Sequence, residues 1–411
     1  MRDKLSKINQ AVSEAGGQAF LVGGYVRDNL LNKVSKDVDI EVFELEADKL
    51  KSVCQSLGKV SEAGESFSVL KLTMGRDTFD ISLPRSEKKN GSGHKGFAIS
   101  ADPFMPKENA AKRRDFTFNA LMQNLASDEI LDFFGGAQDI ENKVIRHVDA
   151  TTFVEDSLRV LRACQFAARF EFTIAPETIK LCKTINLLDL PQDRVKEELF
   201  KLLLKGKVPS LGLKAMRDTL VIDQLFPELL ELPANQIIDR AVYVRDSAGF
   251  SSTEEKLVFM LTLFLSQLSI ADASKILDRL GIFTVMRFDV RKQVLLQLEY
   301  LNYGLQIYNA NRKVFNRLAN TGVNAVIMEM LLRVDYPLVA EKFINNWTDY
   351  QLPLDGSKIK HILQGKHLIK LGMAPGVEMG KILAYVFQEQ LDDKINTLDE
   401  ALVYVKDKYG I

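Results

Sequence analysis

The chain has 411 residues, 46% hydrophobic and 27% charged, with a net charge of −1 at pH 7. That balance excludes a disordered chain and one basic enough to coat nucleic acid, so any such contact must come from a local patch. The length exceeds one ordinary core and predicts roughly two to four domains.

The N-terminal stretch MRDKLSKINQ carries no apolar signal core, so export is not expected. The longest apolar runs, such as Leu257 to Leu265, are too short to span a bilayer, and no membrane partner is expected. Cys54, Cys164 and Cys182 lie far apart without metal-ligand spacing. They read as packed thiols of a reducing, cytoplasmic protein.

In chain order, residues 1–145 read as mixed α/β. QAFLVGG and DVDIEVF have the pattern of short strands, and YVRDNLL between them that of an amphipathic helix. SFSVLKLTM and TFDISL alternate as two more strands, joined at GRD by a hairpin turn. The polar, basic, glycine-rich stretch Arg85 to Gly96 reads as a mobile loop. Helical period takes over from Pro106. FVEDSLRVLRACQFAARF is strongly helical, with Leu158, Leu161 and Ala168 on one stripe. Helical patterning then runs to the end, broken at Pro209, Pro227, Pro233, Pro353 and Pro375. The predicted fold class is α+β: a small α/β head followed by an extended all-helical arm.

The chemistry gathers between Phe20 and Phe43. Asp37 and Asp39, two apart on a strand, face the same way and repel unless a cation sits between them. Their oxygens suit Mg²⁺, a hard ion that keeps waters and takes phosphate as a further ligand. Asp80 is a third candidate carboxylate from a neighbouring strand. Alone, such a pair also fits a solvated edge strand. Gly23 and Gly24 follow a strand and open a helix, where backbone can approach a phosphate; Arg27, one turn in, can fork the same anion, and Asp28 can orient it. By itself a glycine pair also fits a tight turn with a surface ion pair.

Together these stretches resemble the class II tRNA nucleotidyltransferase and poly(A) polymerase family. LVGGYVRDNLL…KDVDIEVF resembles its signature motif, KRRDFTFNALM its Arg-Arg-Asp motif, and DFFGGAQDIENKVIRHV its third. EDSLRVLRACQFAARFEF resembles the fourth, QDRVKEEL the fifth, and GKHLIKLGMAPGVEMGKIL the family's C-terminal segment. The resemblance is weak between residues 235 and 355.

The resemblance implies a nucleotidyltransferase head at 1–145, a helical neck for base recognition at 146–205, a helical body at 206–345 and a tRNA-binding helical tail at 346–411. It implies template-independent addition of CMP and AMP, from CTP and ATP, to a tRNA 3′ end, building CCA by two-metal nucleotidyl transfer with Mg²⁺. Asp37, Asp39 and Asp80 would be catalytic, with Asp37 and Asp39 holding metal. Gly23, Gly24, Arg27, Arg113, Arg114, Asp115 and Asn119 would bind the nucleotide, the Arg-Arg-Asp residues near a helix start selecting ribose.

Asp156, Arg159 and Arg162 would recognise the base. Asp156 and Arg159, three apart, would share a helix face. A carboxylate accepting from an exocyclic amine and a guanidinium donating to ring acceptors fits cytosine and adenine and rejects uracil and guanine. A helix-surface ion pair has the same spacing. Glu155, Arg194 and Glu197 would support, the last two as a pair one turn apart that braces the nucleotide-binding helix. The Arg85–Gly96 loop would let the pocket switch from C to A. Lys358, Lys360, Lys366, Lys370 and Lys381 are candidates for a basic tRNA surface, or for an ordinary solvated face.

Two positions depart from the family pattern. Gln165 stands where an arginine is usual and is expected to act through packing or backbone support. His367 stands where an aspartate is usual. No His-Asp pair is present among the four histidines, so a phosphohydrolase module is not expected, and His94 and His147 read as structural or solvated. The alternatives are an A-adding-only enzyme, a poly(A) polymerase, a small-molecule nucleotidyltransferase or a non-catalytic RNA-binding paralogue. DNA is not an expected partner.

Overall fold

Short strands of two to six residues build a mixed sheet, with Asp39 and Asp80 on two adjoining strands in its middle. In the computed structural model, helix α1 (Arg2–Glu14) buries Leu5, Ile8 and Val12 at helical spacing. Then follow β1 (Gln18–Val22), α2 (Gly24–Leu30), β2 (Asp39–Phe43), α3 (Ala47–Leu57), β3 (Lys59–Ala63), β4 (Val69–Met74) and β5 (Asp77–Ser82). The structure describes all residues except 36, 64–68, 90–96, 233–235, 248, 302–309 and 411. It divides into two units, Met1–Leu230 and Glu231–Ile411.

The β4–β5 hairpin forms as the sequence predicts, with Met74 opposite Asp77 and Gly75 taking a positive φ in the turn. The expected mobile loop at Arg85–Gly96 is partly replaced by structure. Strand β6 (Arg85–Lys89) pairs antiparallel with β7 (Phe97–Ala101), so ladder hydrogen bonds override the poor strand propensity of a charged run. Residues 90–96, including His94, lie outside the described residues.

After α4 (Lys107–Lys112) the chain adds β8 (Met122–Asn124) and β9 (Ile130–Leu131) to the sheet, whose order is β3-β4-β5-β2-β1-β8-β9. Only the β2–β5 pair within it is parallel; its register sets Asp39 opposite Asp80 and Ile40 opposite Ile81. Next come α5 (Gly136–Glu141), β10 (Val144–Ile145), α6 (Ala150–Phe153), α7 (Leu158–Phe170), β11 (Thr173–Ile174), α8 (Pro176–Cys182), α9 (Gln192–Lys205) and α10 (Pro209–Asp218). Helix α7 is buried almost all round, with Leu158, Leu161 and Ala168 in the core. It packs on α9 and α10. The approach is close at Gly212, where an added Cβ would lie 2.8 Å from Leu202 and 3.0 Å from Ala168.

Phenylalanines tie the Arg-Arg-Asp stretch to α7. The Phe118 ring stands edge-on to Phe166, Phe170 and Phe172, and Phe116 meets Phe153 and Phe166. Such contacts add directionality to the burial energy. Gly136 presses on the same segment: a Cβ there would lie 2.2 Å from the Thr117 carbonyl oxygen. All three cysteines are free and buried, and burial raises their pKa, to about 11 for Cys54 and about 12 for Cys182.

The second unit is helical apart from a two-stranded ribbon at Thr284–Val285 and Phe288–Asp289. One cluster packs around Phe315, Phe343 and Trp347, another around Leu368, Ile382 and Val405. His367 sits at the third position of helix Gly365–Lys370, where its Nδ1 accepts from the Gln364 backbone N–H at 3.1 Å. That is the job a carboxylate does in a capping box, so the imidazole replaces the usual aspartate without losing the cap. Lys381 pairs with Glu378 on the helix surface. No helix among the described residues is long and apolar enough to cross a membrane.

Candidate active site

Gly23 ends β1 with φ 64° and ψ −126° and leads into α2. A Cβ on Gly23 would lie 2.9 Å from Nη1 of Arg114, so the backbone and that guanidinium close on each other here. Arg114 belongs to the turn between α4 and a 3₁₀ turn at Thr117–Asn119. The Arg-Arg-Asp residues therefore follow a helix end; the expected helix start is only that single 3₁₀ turn.

One open cleft of ≈ 320 Å³ is lined by Gly23, Gly24, Arg27, Asp39, Arg114, Asp115, Asn119 and Arg162, together with Gln165, Phe166, Arg169, Lys201 and Lys205. Residues from 23 to 205 thus converge on one space. A hydrogen-bond relay sets its floor. Arg27 is 5% exposed and donates through Nε to Asp28 (2.8 Å) and through Nη1 to Asn119 Oδ1 (2.6 Å). Asn119 Nδ2 donates to Asp115 Oδ1 (2.9 Å), and Arg162 Nε donates to Asp115 Oδ2 (2.7 Å). The Arg27 guanidinium also lies 4.6 Å from the Phe170 ring centroid. Burial lowers the pKa of Arg27, and Asp28 opposes that shift.

Burial alone would raise the pKa of Asp115. Arg162 beside it, with hydrogen bonds from Asn119 and Arg162, outweighs burial and holds it below the usual carboxylate range. Asp39 shows the opposite balance. Its side chain reaches the cleft, yet lost hydration raises its pKa; Asp80 and Asp37 push the same way and Arg114 opposes.

Glu41 was not among the sequence candidates. It is fully buried, accepts from Arg113 Nη2 at 2.7 Å, and has Arg114 Nη2 3.6 Å from its second oxygen. The signal was present in the alternation Asp37, Asp39, Glu41, which marks one face of a strand. Arg169 was legible as the residue seven after Arg162, and Lys201 and Lys205 as an i, i+4 pair.

Other candidates fall elsewhere. Asp37 is exposed just before β2, and Asp80 lies across the ladder from Asp39 with Lys71 3.5 Å away. Arg113 does not line the cleft but sits on Glu41. Asp156 and Arg159 do not line it either. They do not share a helix face, because α7 starts at Leu158 and Asp156 lies before its first turn, accepting from the Leu158 N–H. Asp156 is forked by Arg194 at 3.1–3.2 Å, and Arg159 donates to the carbonyls of Thr152 and Arg113. Arg194 thus braces Asp156 across two helices rather than pairing with Glu197, which is exposed on α9. Glu155 is half-buried in the α6–α7 turn. Gln165 lines the cleft instead of acting only through packing; it is 2% exposed and its Oε1 has no hydrogen-bond partner.

Residues 19–146 match the family model described as poly A polymerase head domain, and residues 171–232 that described as probable RNA and SrmB-binding site of polymerase A. The likeness of sequence to polymerase A head and RNA-binding domains thus lies in the N-terminal half of the chain. Among curated relatives, the multifunctional CCA protein of Xanthomonas campestris pv. campestris is 39% identical over 217 residues, 51% of each chain. That of Psychromonas ingrahamii is 40% identical over 219 residues, 52% of this chain and 51% of its own. The chain spans about half the length of the curated relatives it matches.

Solved structures extend the likeness of fold over the whole chain. The Bacillus stearothermophilus CCA-adding enzyme in complex with CTP aligns at TM-score 0.75 and 20% identity, covering 99% of this chain and 97% of that one. The Thermotoga maritima CCA-adding enzyme complexed with tRNA aligns at 0.60 and 22%, covering 98% and 95%.

The acids fit a hard divalent cation that brings its own waters and phosphate. Among the described residues no three of His, Cys, Asp and Glu converge on a protein-only cage. A carboxylate whose pKa is raised first by lost hydration and then by its acidic neighbours, in one cleft with a glycine turn, suits an ion held by one or two carboxylates plus a ligand phosphate.

Proposed function

We propose that the protein is a template-independent tRNA nucleotidyltransferase that adds CMP and AMP, from CTP and ATP, to the tRNA 3′ end. The observation that carries this reading is the convergence of Gly23, Gly24 and Arg114 with Asp39 in one cleft, beside the Asp115–Arg162 pair. The names of the relatives and structural neighbours support it.

The triphosphate lies against the Gly23–Gly24 backbone, where no side chain keeps it away, and Arg114 meets its charge. Asp115, held ionised by Arg162 and Asn119, offers an acceptor to a ribose hydroxyl, which favours ribonucleotides. Asp37 and Asp39 would hold the cation, with Asp80 opposite Asp39 on the neighbouring strand. A bound Mg²⁺ supplies the charge that activates a 3′-hydroxyl and stabilises the displaced pyrophosphate. Asp156 and Arg159 stand outside this cleft, held by Arg194 and by backbone carbonyls, and read the base edge by exchanging those partners for it.

The test is incorporation of labelled CTP, ATP, UTP and GTP on two tRNA transcripts, one ending at the discriminator base and one ending in CC. The account expects CC then A on the first and A on the second, with no U or G. Absence of incorporation on both would sink it, and A on the second alone would replace it with an A-adding enzyme.

A further inference from the structure

The cleft does not exhaust the cations on this side of the first unit. Arg169, seven residues after Arg162 on α7, lines the cleft with Lys201 and Lys205 of α9. Lys201 is paired with Glu198, but no carboxylate lies within ion-pair distance of Arg169 or Lys205 among the described residues. The charge continues past the cleft. The Phe170 ring is bracketed by Arg27 at 4.6 Å, Arg169 at 5.1 Å and Lys33 at 4.6 Å. Lys207 follows, its backbone N–H bonded to the Ala168 carbonyl and its ammonium 3.5 Å from Glu171.

These positions are built, not incidental. Gly206 lets the end of α9 meet α7, since a Cβ there would lie 3.2 Å from Ala168 Cβ and 2.3 Å from the Leu202 carbonyl oxygen. The contact sets Lys205 and Lys207 on either side of a fixed point beside Arg169. Burial lowers the pKa of Lys33, and Lys207, Arg169 and Arg27 push it the same way. Asp28 and Glu171 offset Arg27, Lys33 and Lys207 only in part, and among the described residues no acid pairs with Arg169 or Lys205, so the group still carries a net demand for anions.

We propose that Arg169, Lys205, Lys33 and Lys207 form a track that carries successive phosphodiesters of a single RNA strand, the one whose 3′ end enters the cleft. One nucleotide needs one pocket; cations that continue beyond it around the Phe170 ring fit a chain of phosphates. This rests on the reading of the cleft as a nucleotide site, and it assigns the strand's path. Phe170 contributes by holding Arg169 and Lys33 against its ring, which leaves their N–H groups to the phosphates, while Arg27 is spent on Asp28 and Asn119.

The test uses Lys33→Gln/Lys207→Gln in the full chain, both outside the cleft, against the exposed Lys180→Gln/Lys183→Gln at the C-terminal end of α8 as control. Binding of a fluorescein-labelled single-stranded RNA ending in CC is followed by anisotropy as salt is raised, without nucleotide, and ATP affinity is measured separately by calorimetry. Losing two phosphate contacts should weaken RNA binding roughly tenfold at low salt and make the log–log salt slope shallower by about 1.4. The control should keep the wild-type slope, and ATP affinity should hold in both. Unchanged RNA affinity and slope in the track variant would overturn the proposal, as would an equal loss of ATP affinity, which would give these cations to the nucleotide. Wild-type protein that binds RNA with the steep slope but incorporates nothing would refute the transferase reading and still support the track.

Discussion

Arg162 holds Asp115 with two donors, Nε and Nη2, each 2.7 Å from the same carboxylate oxygen. The other oxygen accepts from the Phe116 backbone N–H and from Asn119. One buried carboxylate therefore joins α7 to the turn after α4, and the cleft inherits its shape from that junction. Asp115→Asn keeps the volume and removes the charge. It should cost about 1–3 kcal/mol of stability, the range for a buried group left half-satisfied. Discrimination between ATP and dATP should fall with it. Denaturant melts and paired kcat/KM values measure both, and a variant that keeps full ribose preference would remove Asp115 from the ribose site.

Gly23 is constrained twice, by φ 64° and by the 2.9 Å approach of Arg114 to the missing Cβ. Gly23→Ala must shift the backbone or push Arg114 away. That positive-φ conformation, with ψ −126°, alone costs a non-glycine residue about 1–3 kcal/mol. The expected outcome is a larger rise in KM for nucleotide than in KM for RNA. Equal changes in the two constants would mean that the glycine serves only the fold.

Asp149 caps α6, accepting from the Thr151 hydroxyl and N–H and from the Thr152 N–H, with Lys112 3.3 Å away. The Thr151 side-chain hydrogen bond is the main reason that its pKa falls from 3.8 to about 2. A depressed folded-state pKa gives stability that is present above the unfolded value and lost as pH falls through the folded one. Asp149→Ala should therefore cost about 1 kcal/mol at neutral pH, as capping residues do. The gap from wild type should close between pH 4 and 2. Urea melts across that range check the sign; a gap that widens toward acid contradicts it.

The sequence made much of this architecture legible because local rules agree with the fold. The GRD hairpin, the paired glycines and the apolar stripe of α7 follow from turn chemistry and periodicity, and Pro209 opens α10 at its first turn. What the sequence hid depends on partners brought together from afar. Helical pattern alone carried Asp156 into α7, whereas Ser157 starts the helix and frees Asp156 to meet Arg194, 38 residues on. Arg113 and Arg114 looked equivalent, but Glu41 binds one tightly and leaves the other to the cleft. Arg85–Lys89 read as loop because its strand partner lies beyond a polar gap.

The most direct measurement of the central claim is single-nucleotide extension of a tRNA ending in CC by the Asp39→Asn variant, resolved on a sequencing gel. Asp39 is exposed at the start of its strand, and lost hydration with the neighbouring Asp80 and Asp37 raises its pKa, so removing its charge relieves repulsion and breaks no fold contact. At pH 7 with chelator, the neutral variant should melt no lower than wild type, so lost activity cannot be ascribed to unfolding. The account predicts no extension by this stable variant. Extension at the wild-type rate would contradict it and remove Asp39, and the cleft with it, from the chemistry.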